Sequence, residues 1–180
     1  MHSKKELTRE GELHKFLSFR LGKENFGIAI LNIKEIIEYG SITEVPMMPE
    51  FVRGAINLRG HIVPVMDLAI RLSRQSDEIS KRTCIVIVEV ETNQVVLDVG
   101  IVVDAVNEVM DIHPEDIDPA PSFGGSLRTD FIRGMGKMGE KFIILLEIDK
   151  VISLEDMHAL QAAAGDMIDA TDKHDGSALA

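Results

Sequence analysis

The sequence predicts a mainly β protein built of two similar halves, each a small barrel of short strands, with a helix near the C-terminal end. Three observations carry this expectation. Phe51 to Leu68 reads FVRGAINLRGHIVPVMDL, two apolar runs broken by Leu58-Arg59-Gly60-His61, a tight hairpin turn with a glycine suited to positive φ. The ribbon recurs from Phe131 to Ile148 as FIRGMGKMGEKFIILLEI, ungapped at a spacing of 80 (131 minus 51), so that Phe51 meets Phe131, Arg53 meets Arg133, Gly54 meets Gly134 and Asp67 meets Glu147. Upstream, a spacing of 73 (100 minus 27) aligns Gly27 with Gly100, Ile33 with Val106, Glu35 with Glu108 and Pro46 with Pro119. The second copy is therefore seven residues longer (80 minus 73), most simply around Pro121 to Ser126. Short, regularly spaced strands with Gly and Pro turns favour barrels over a parallel α/β sheet.

Taken in order, Met1 to His14 is polar and unpatterned, a flexible tail. Phe16 to Leu21 alternates as a strand does, Gly22 to Asn25 reads as a turn, and Phe26 to Ile30 returns. Ile30, Ile33 and Ile37 fall at helical spacing, so a short helical turn precedes an extended Glu35 to Tyr39. Pro46 and Pro49 punctuate a loop before the first ribbon, and after it Asp67 caps a brief helical turn running to Leu72. Ser73 to Lys81 is a polar connector, followed by β-rich runs over Arg82 to Glu91 and Gln94 to Val103. Pro114, Pro119 and Pro121, with acids among them, mark a long exposed loop. Ser153 and Asp156 make a capping box that opens the final helix, which Met157 and Leu160 continue, and Gly165 onward is a second flexible tail. About ten short strands result.

Composition narrows the function. The 180 residues, 45% apolar, suffice for one ordinary domain or two small halves sharing a core, built from Ile, Val, Leu and Met because aromatics are only 4%. A net charge of −11 argues against nucleic acid, whose backbone calls for a basic face. Cys84 is the single cysteine, which excludes an internal disulfide and points to a reducing compartment. Residues 1–15 lack the apolar core of a secretion signal, and no run approaches the ~20 apolar residues of a membrane helix, so the cytoplasm is expected. The glycines 134, 136 and 139 spell a dinucleotide fingerprint but run into a strand, which makes them a hairpin. Asp111, Glu115, Asp116 and Asp118 lack a calcium-loop frame, and the histidines lack metal-ligand spacing. Cys84 lies in an apolar strand without an adjacent base and reads as an inert core thiol. No catalytic residue, cofactor or metal is expected.

Arg59 is the exception to this quiet surface. It sits at the tip of an apolar ribbon beside Ile56, Leu58 and Ile62, while the second copy has Met138-Gly139-Glu140 in its place. An arginine that one copy alone carries has a task beyond folding, and in an apolar surround it is a typical interface anchor. Glu35 has an acidic counterpart in Glu108, so a pairing with Arg59 would exist in the first copy only.

The run GAINLRGHIVPVMDL, with Phe26-Gly27-Ile28-Ala29-Ile30 and Val45-Pro46 before it and Gly100-Ile101-Val102-Val103-Asp104 and Phe131-Ile132-Arg133-Gly134 after it, resembles CheW, the family of bacterial chemotaxis coupling proteins. The likeness covers roughly residues 15–160. It implies two intertwined five-stranded β-barrels of SH3-like topology with a C-terminal helix, the first about 15–83 and the second about 84–152. It further implies a non-catalytic cytoplasmic adaptor between a CheA-type histidine kinase and methyl-accepting chemotaxis receptors, without insertion into the membrane. By position, Arg59, Glu35 and Gly54 match residues associated with coupling, and Ile33 and Ala105 match apolar positions of the receptor-facing groove. A kinase-regulatory domain would instead carry a catalytic domain upstream, and a receiver fusion would add about 120 residues of α/β pattern.

Overall fold

The computed structural model describes residues 14–72, 74–120, 130–153 and 155–165. The expected tails, apart from His14 and Gly165, and the seven-residue surplus around Pro121 to Ser126 lie outside the described residues. Eleven strands are described: β1 (Lys15–Leu21), β2 (Glu24–Ala29), β3 (Ile33–Glu38), β4 (Val52–Leu58), β5 (His61–Asp67), β6 (Cys84–Thr92), β7 (Val95–Val103), β8 (Ala105–Asp111), β9 (Ile117–Asp118), β10 (Ile132–Met138) and β11 (Lys141–Leu146). Among the described residues, helix is confined to the one-turn α1 (Leu68–Arg71) and α2 (Ile148–Val151), the final helix α3 over 155–165, and 3-10 turns at Ile30–Asn32 and Pro114–Asp116.

The mainly β expectation holds, and the strands form two curled sheets, ordered β8-β1-β2-β11-β10-β9 and β3-β6-β7-β5-β4. With β1 to β5 of the first copy equivalent to β6, β7, β8, β10 and β11 of the second, the two orders are the same with the copies exchanged. Each sheet is thus stitched from both halves at two places, by an antiparallel pair (β1 with β8, and β3 with β6) and by a parallel pair (β2 with β11, and β5 with β7). A division near residue 83 separates the two repeats of the sequence, whereas β1 and β2 pair with strands of the second repeat and β6 and β7 with strands of the first.

Period-two alternation sorts the core. On β6, Ile85 and Ile87 join Val63 and Val65 in a small cluster inside the second sheet, while Val86, Val88 and Val90 point the other way. On β11, Ile143 and Leu145 join Phe16 and Ile112 inside the first sheet, and Leu146 faces outward. The outward set from both sheets meets in the largest cluster, where Leu17, Phe19 and Phe26 pack with Val99, Ile101 and Met66. Strands buried on both faces read as continuous apolar runs, which is why the IVIV of β6 lacks polar interruptions, while the apolar run of β11 begins at the exposed Phe142.

The capping box is present: Ser153 N donates to Asp156 Oδ2 at 2.9 Å and Asp156 N to Ser153 Oγ at 3.1 Å, after which Met157, Leu160 and Ala163 are buried. Asp67 accepts from Ile70 N at 3.2 Å, as the α1 cap requires. Two segments depart from expectation. Residues 105–111, for which the sequence predicts no element, form β8, the second copy's equivalent of β3. Within the loop expected around Pro114 and Pro119, β9 pairs Asp118 with Met135, an enlarged version of the single Thr43 to Ala55 bridge in the first copy.

Candidate functional site

The site grows out of the β4–β5 hairpin. Arg59 and Gly60 are its whole loop, with φ of 52° and 84°, the paired positive values of a type I′ turn that follows the right-handed strand twist. Asn57 Oδ1 accepts from Gly60 N at 2.9 Å and locks the turn. Glu35 stands on β3, across the seam of the same sheet, since β3 and β4 are its two edges. The sheet curls until these edges meet, and the Arg59 guanidinium pairs with the Glu35 carboxylate, with Nη1 at 3.2 Å from Oε2. The Thr43 to Ala55 bridge and the Arg53 donation to Tyr39 Oη at 3.4 Å close the seam further along.

The pairing expected of Arg59 and Glu35 is therefore present in the geometry. The arginine side chain keeps 66% of its exposure and the glutamate 28%, so the guanidinium is steadied from one side and open on the other. Lys34 sits where a β-bulge shifts the β3–β6 register between Ile33 and Glu35. Its ammonium lies 2.9 Å from Asp98 on β7 and 3.2 Å from Glu89 on β6. Hydrogen bonds to Asp98 first and Glu89 second hold the Lys34 ammonium above its ordinary pKa, so it is fully charged at neutral pH. Lys34, Glu35, Arg59 and Asp98 rim an open cleft of about 340 Å³ whose floor includes Val63 and Ile87.

Gly54 serves this site from inside. It is buried, its φ is 143°, and a Cβ there would stand 2.0 Å from Thr43 O, so only glycine lets the β3–β4 loop close against the sheet. Gly134 holds the matching place, where a Cβ would stand 2.7 Å from Asp118 O. Ile33 is half-buried against the core shared by the two sheets. Ala105 is 6% exposed at the start of β8, opposite Arg20. Ile33 opens β3 of the second sheet, directly before the cleft residues Lys34 and Glu35 but packed against the shared core, and Ala105 opens β8 of the first sheet.

Three features escaped sequence reasoning. Arg53 donates to buried Asp67 through Nε at 3.0 Å and Nη2 at 2.6 Å, and Ser76 Oγ adds 2.7 Å to the same oxygen. The spacing of 80 already aligned Arg53 with Arg133 and Asp67 with Glu147, and the second pair is also near, at 3.7 Å. That covariation between copies was a usable signal. The Lys34 triad had none, because its acids arrive from other strands by register. Cys84, expected in the core, is half-buried at the start of β6, where burial and Glu38 push its thiol up and keep it protonated.

Among the described residues no group of three or more His, Cys, Asp or Glu side chains is placed to hold a metal ion. Among them also, no helix is long and apolar enough to cross a membrane. The model of the CheW-like domain family matches residues 15–156. The chemotaxis protein CheW of Klebsiella aerogenes is 38% identical over 152 residues, covering 84% of this chain and 89% of that protein. The CheW of Rhizobium meliloti is 32% identical over 155 residues, covering 86% and 96%. Protein FrzA of Myxococcus xanthus is 31% identical over 139 residues, covering 76% and 84%. Among solved structures, the scaffolding protein TtCheW of Thermoanaerobacter tengcongensis superposes with a TM-score of 0.69 at 35% identity, covering 79% of this chain and 90% of that one.

Proposed function

Since the chain belongs to the CheW family of chemotaxis scaffold proteins, which are adaptors and not enzymes, we propose that it couples the cytoplasmic tips of methyl-accepting chemotaxis receptors to a CheA-type histidine kinase. It does so in the cytoplasm, by binding alone, with Arg59 and Glu35 in the coupling surface, buried Gly54 shaping the backbone beneath it, and Ile33 and Ala105 in the receptor groove. The observation that carries this reading is the Arg59–Glu35 pair. It closes the seam of one sheet and has no equivalent in the other, where Gly139 replaces the arginine opposite Glu108. A half-exposed ion pair contributes only ~0 to 1 kcal/mol to folding. Truncating an arginine anchor at an interface removes ~2 kcal/mol or more of binding.

Arg59→Ala therefore folds normally and loses receptor control of the kinase, with Glu35→Ala weaker in the same direction. Thermal melting beside kinase activity in reconstituted receptor assemblies checks this. Normal melting with unchanged control would make Arg59 a bystander, and a collapsed melting temperature would make it structural. For the groove, Ile33→Asp weakens receptor binding more than kinase binding. Equal loss of both together with lowered stability would assign Ile33 to the core.

A further inference from the structure

A titratable side chain stands beside the arginine. His61 opens β5 directly after the Arg59–Gly60 loop, opposite Leu58 in the strand pair, and is exposed. By period-two alternation it shares a face with Val63 and Val65, which lie inside the second sheet, so it stands at the lip of the cleft with Val63 in the floor. Charged groups reach the same cleft from the elements around it: Lys34 and Glu35 from β3, Arg59 from the hairpin loop and Asp98 from β7, with Glu89 of β6 behind Lys34. The imidazole has no hydrogen-bond or ion-pair partner among the described residues. We propose that His61 makes partner binding at the Arg59 surface depend on pH, its protonated ring adding a second open cation for an acidic partner group. The proposal rests on the coupling reading above.

Two features single out this histidine. The lining charges are balanced, Lys34 and Arg59 against Glu35 and Asp98, and groups of these kinds keep their charge near neutral pH, where imidazole ordinarily gains or loses its own. The net charge of the cleft therefore follows the ring. Lys34 is already held by Asp98 and Glu89, and Glu35 takes one side of Arg59, which leaves the open side of the guanidinium and the imidazole for a partner. The second copy supplies the internal comparison. At the spacing of 80, Lys141 takes the place of His61 as the first residue of β11, opposite Met138 and on the face of Ile143 and Leu145. That copy lacks the arginine, and at the spacing of 73 the neutral Asn25 and Asn107 replace Asp98 and Lys34, with Asn107 Nδ2 donating to Asn25 Oδ1 at 3.1 Å. A cation after the turn thus suits the hairpin in either copy, and the copy with Arg59 carries one that a proton switches. A proton on His61 favours the oxygen that already seeks Arg59, and by reciprocity binding favours the proton, so affinity rises as pH falls. Folding is indifferent, since an exposed charge holds a fold weakly.

The test measures the affinity of the purified chain for a CheA-type kinase and for a receptor cytoplasmic fragment encoded in the same genome, at about pH 6 and about pH 8 and constant ionic strength. Melting is recorded for every variant. Arg59→Ala identifies the partner that this surface serves. For that partner the wild type binds about five-fold more tightly at the lower pH. His61→Gln stays near the weaker value at both, and His61→Lys near the tighter value at both, each melting like the wild type. A wild type indifferent to pH overturns the proposal, as does a His61→Gln variant that keeps the whole pH dependence, which would then belong to another group. His61→Lys binding more weakly than His61→Gln also overturns it. Lowered melting in both variants assigns His61 to the fold and overturns it too. If Arg59→Ala leaves every affinity unchanged, the coupling reading itself falls.

Discussion

At the scale of the residue, Arg59 occupies a backbone conformation that L side chains rarely adopt. A left-handed φ costs a non-glycine residue roughly 1 kcal/mol, about what glycine's extra chain entropy costs in return. Arg59→Gly is therefore expected to melt within a few degrees of the wild type while losing receptor control as completely as the alanine variant, which melting and reconstituted kinase activity together resolve. Gly54 behaves oppositely. With φ at 143° and Thr43 O at 2.0 Å from any Cβ, Gly54→Ala forces the loop off the sheet and destabilises by about 3 kcal/mol or more, measurable by denaturant unfolding. Both residues were visible in the sequence for different reasons: Arg59 because one copy lacks it, Gly54 because both copies keep it. The sequence did not separate a residue that meets a partner from one that shapes the backbone beneath. That distinction rests on exposure, which a string of letters does not carry.

At the scale of the element, the strands and their turns were largely legible because each obeys local chemistry: positive-φ turn residues, alternation, a capping box. Residues 105–111 were missed because AVNEVMD places acids and an amide among its apolar residues and lies beside the Asp104 bend. Asp104 ties two such elements together, accepting from Gly22 N at 2.6 Å so that the bend after β7 holds the β1–β2 turn. Burial first, and Asp77 after the opposing Gly22 bond, hold its carboxyl above the ordinary value. The folded state thus binds this proton more tightly than the unfolded chain. Its contribution is fully present below the unfolded pKa and is lost as pH rises through the folded one. Asp104→Asn, which keeps an oxygen for Gly22, should raise the melting temperature at pH 7 and give no gain at the acid end of the carboxylate range. A gain at both ends would trace the effect to something other than the proton.

At the scale of the molecule, the duplication was legible and the exchange of strands was not, for the same reason. Self-similarity reports that two segments share a structure, while strand partners are set by packing that no spacing records. The one hint was local: IVIV of β6 is apolar on both faces, as a strand central to a two-sided core must be. The exchange has a measurable consequence. A fragment of residues 1–83 holds β3, β4 and β5 but not β6 and β7, which separate them in the second sheet, and it holds β1 and β2 without β11. Each fragment of a cut at 83/84 then leaves sheet edges unpaired and the largest core half exposed, a loss beyond the marginal stability of a small domain. Neither fragment should show a cooperative melt alone, and mixing the two should restore the β signal. In the intact chain the shared core makes unfolding a single event. Tyr39, the one tyrosine in a chain without tryptophan, reports the second sheet by fluorescence, and far-ultraviolet dichroism reports both sheets. Coincident midpoints are expected; an independently folding 1–83 fragment, or a dichroism transition lagging that of Tyr39, would mean the halves stand alone despite their interleaved strands.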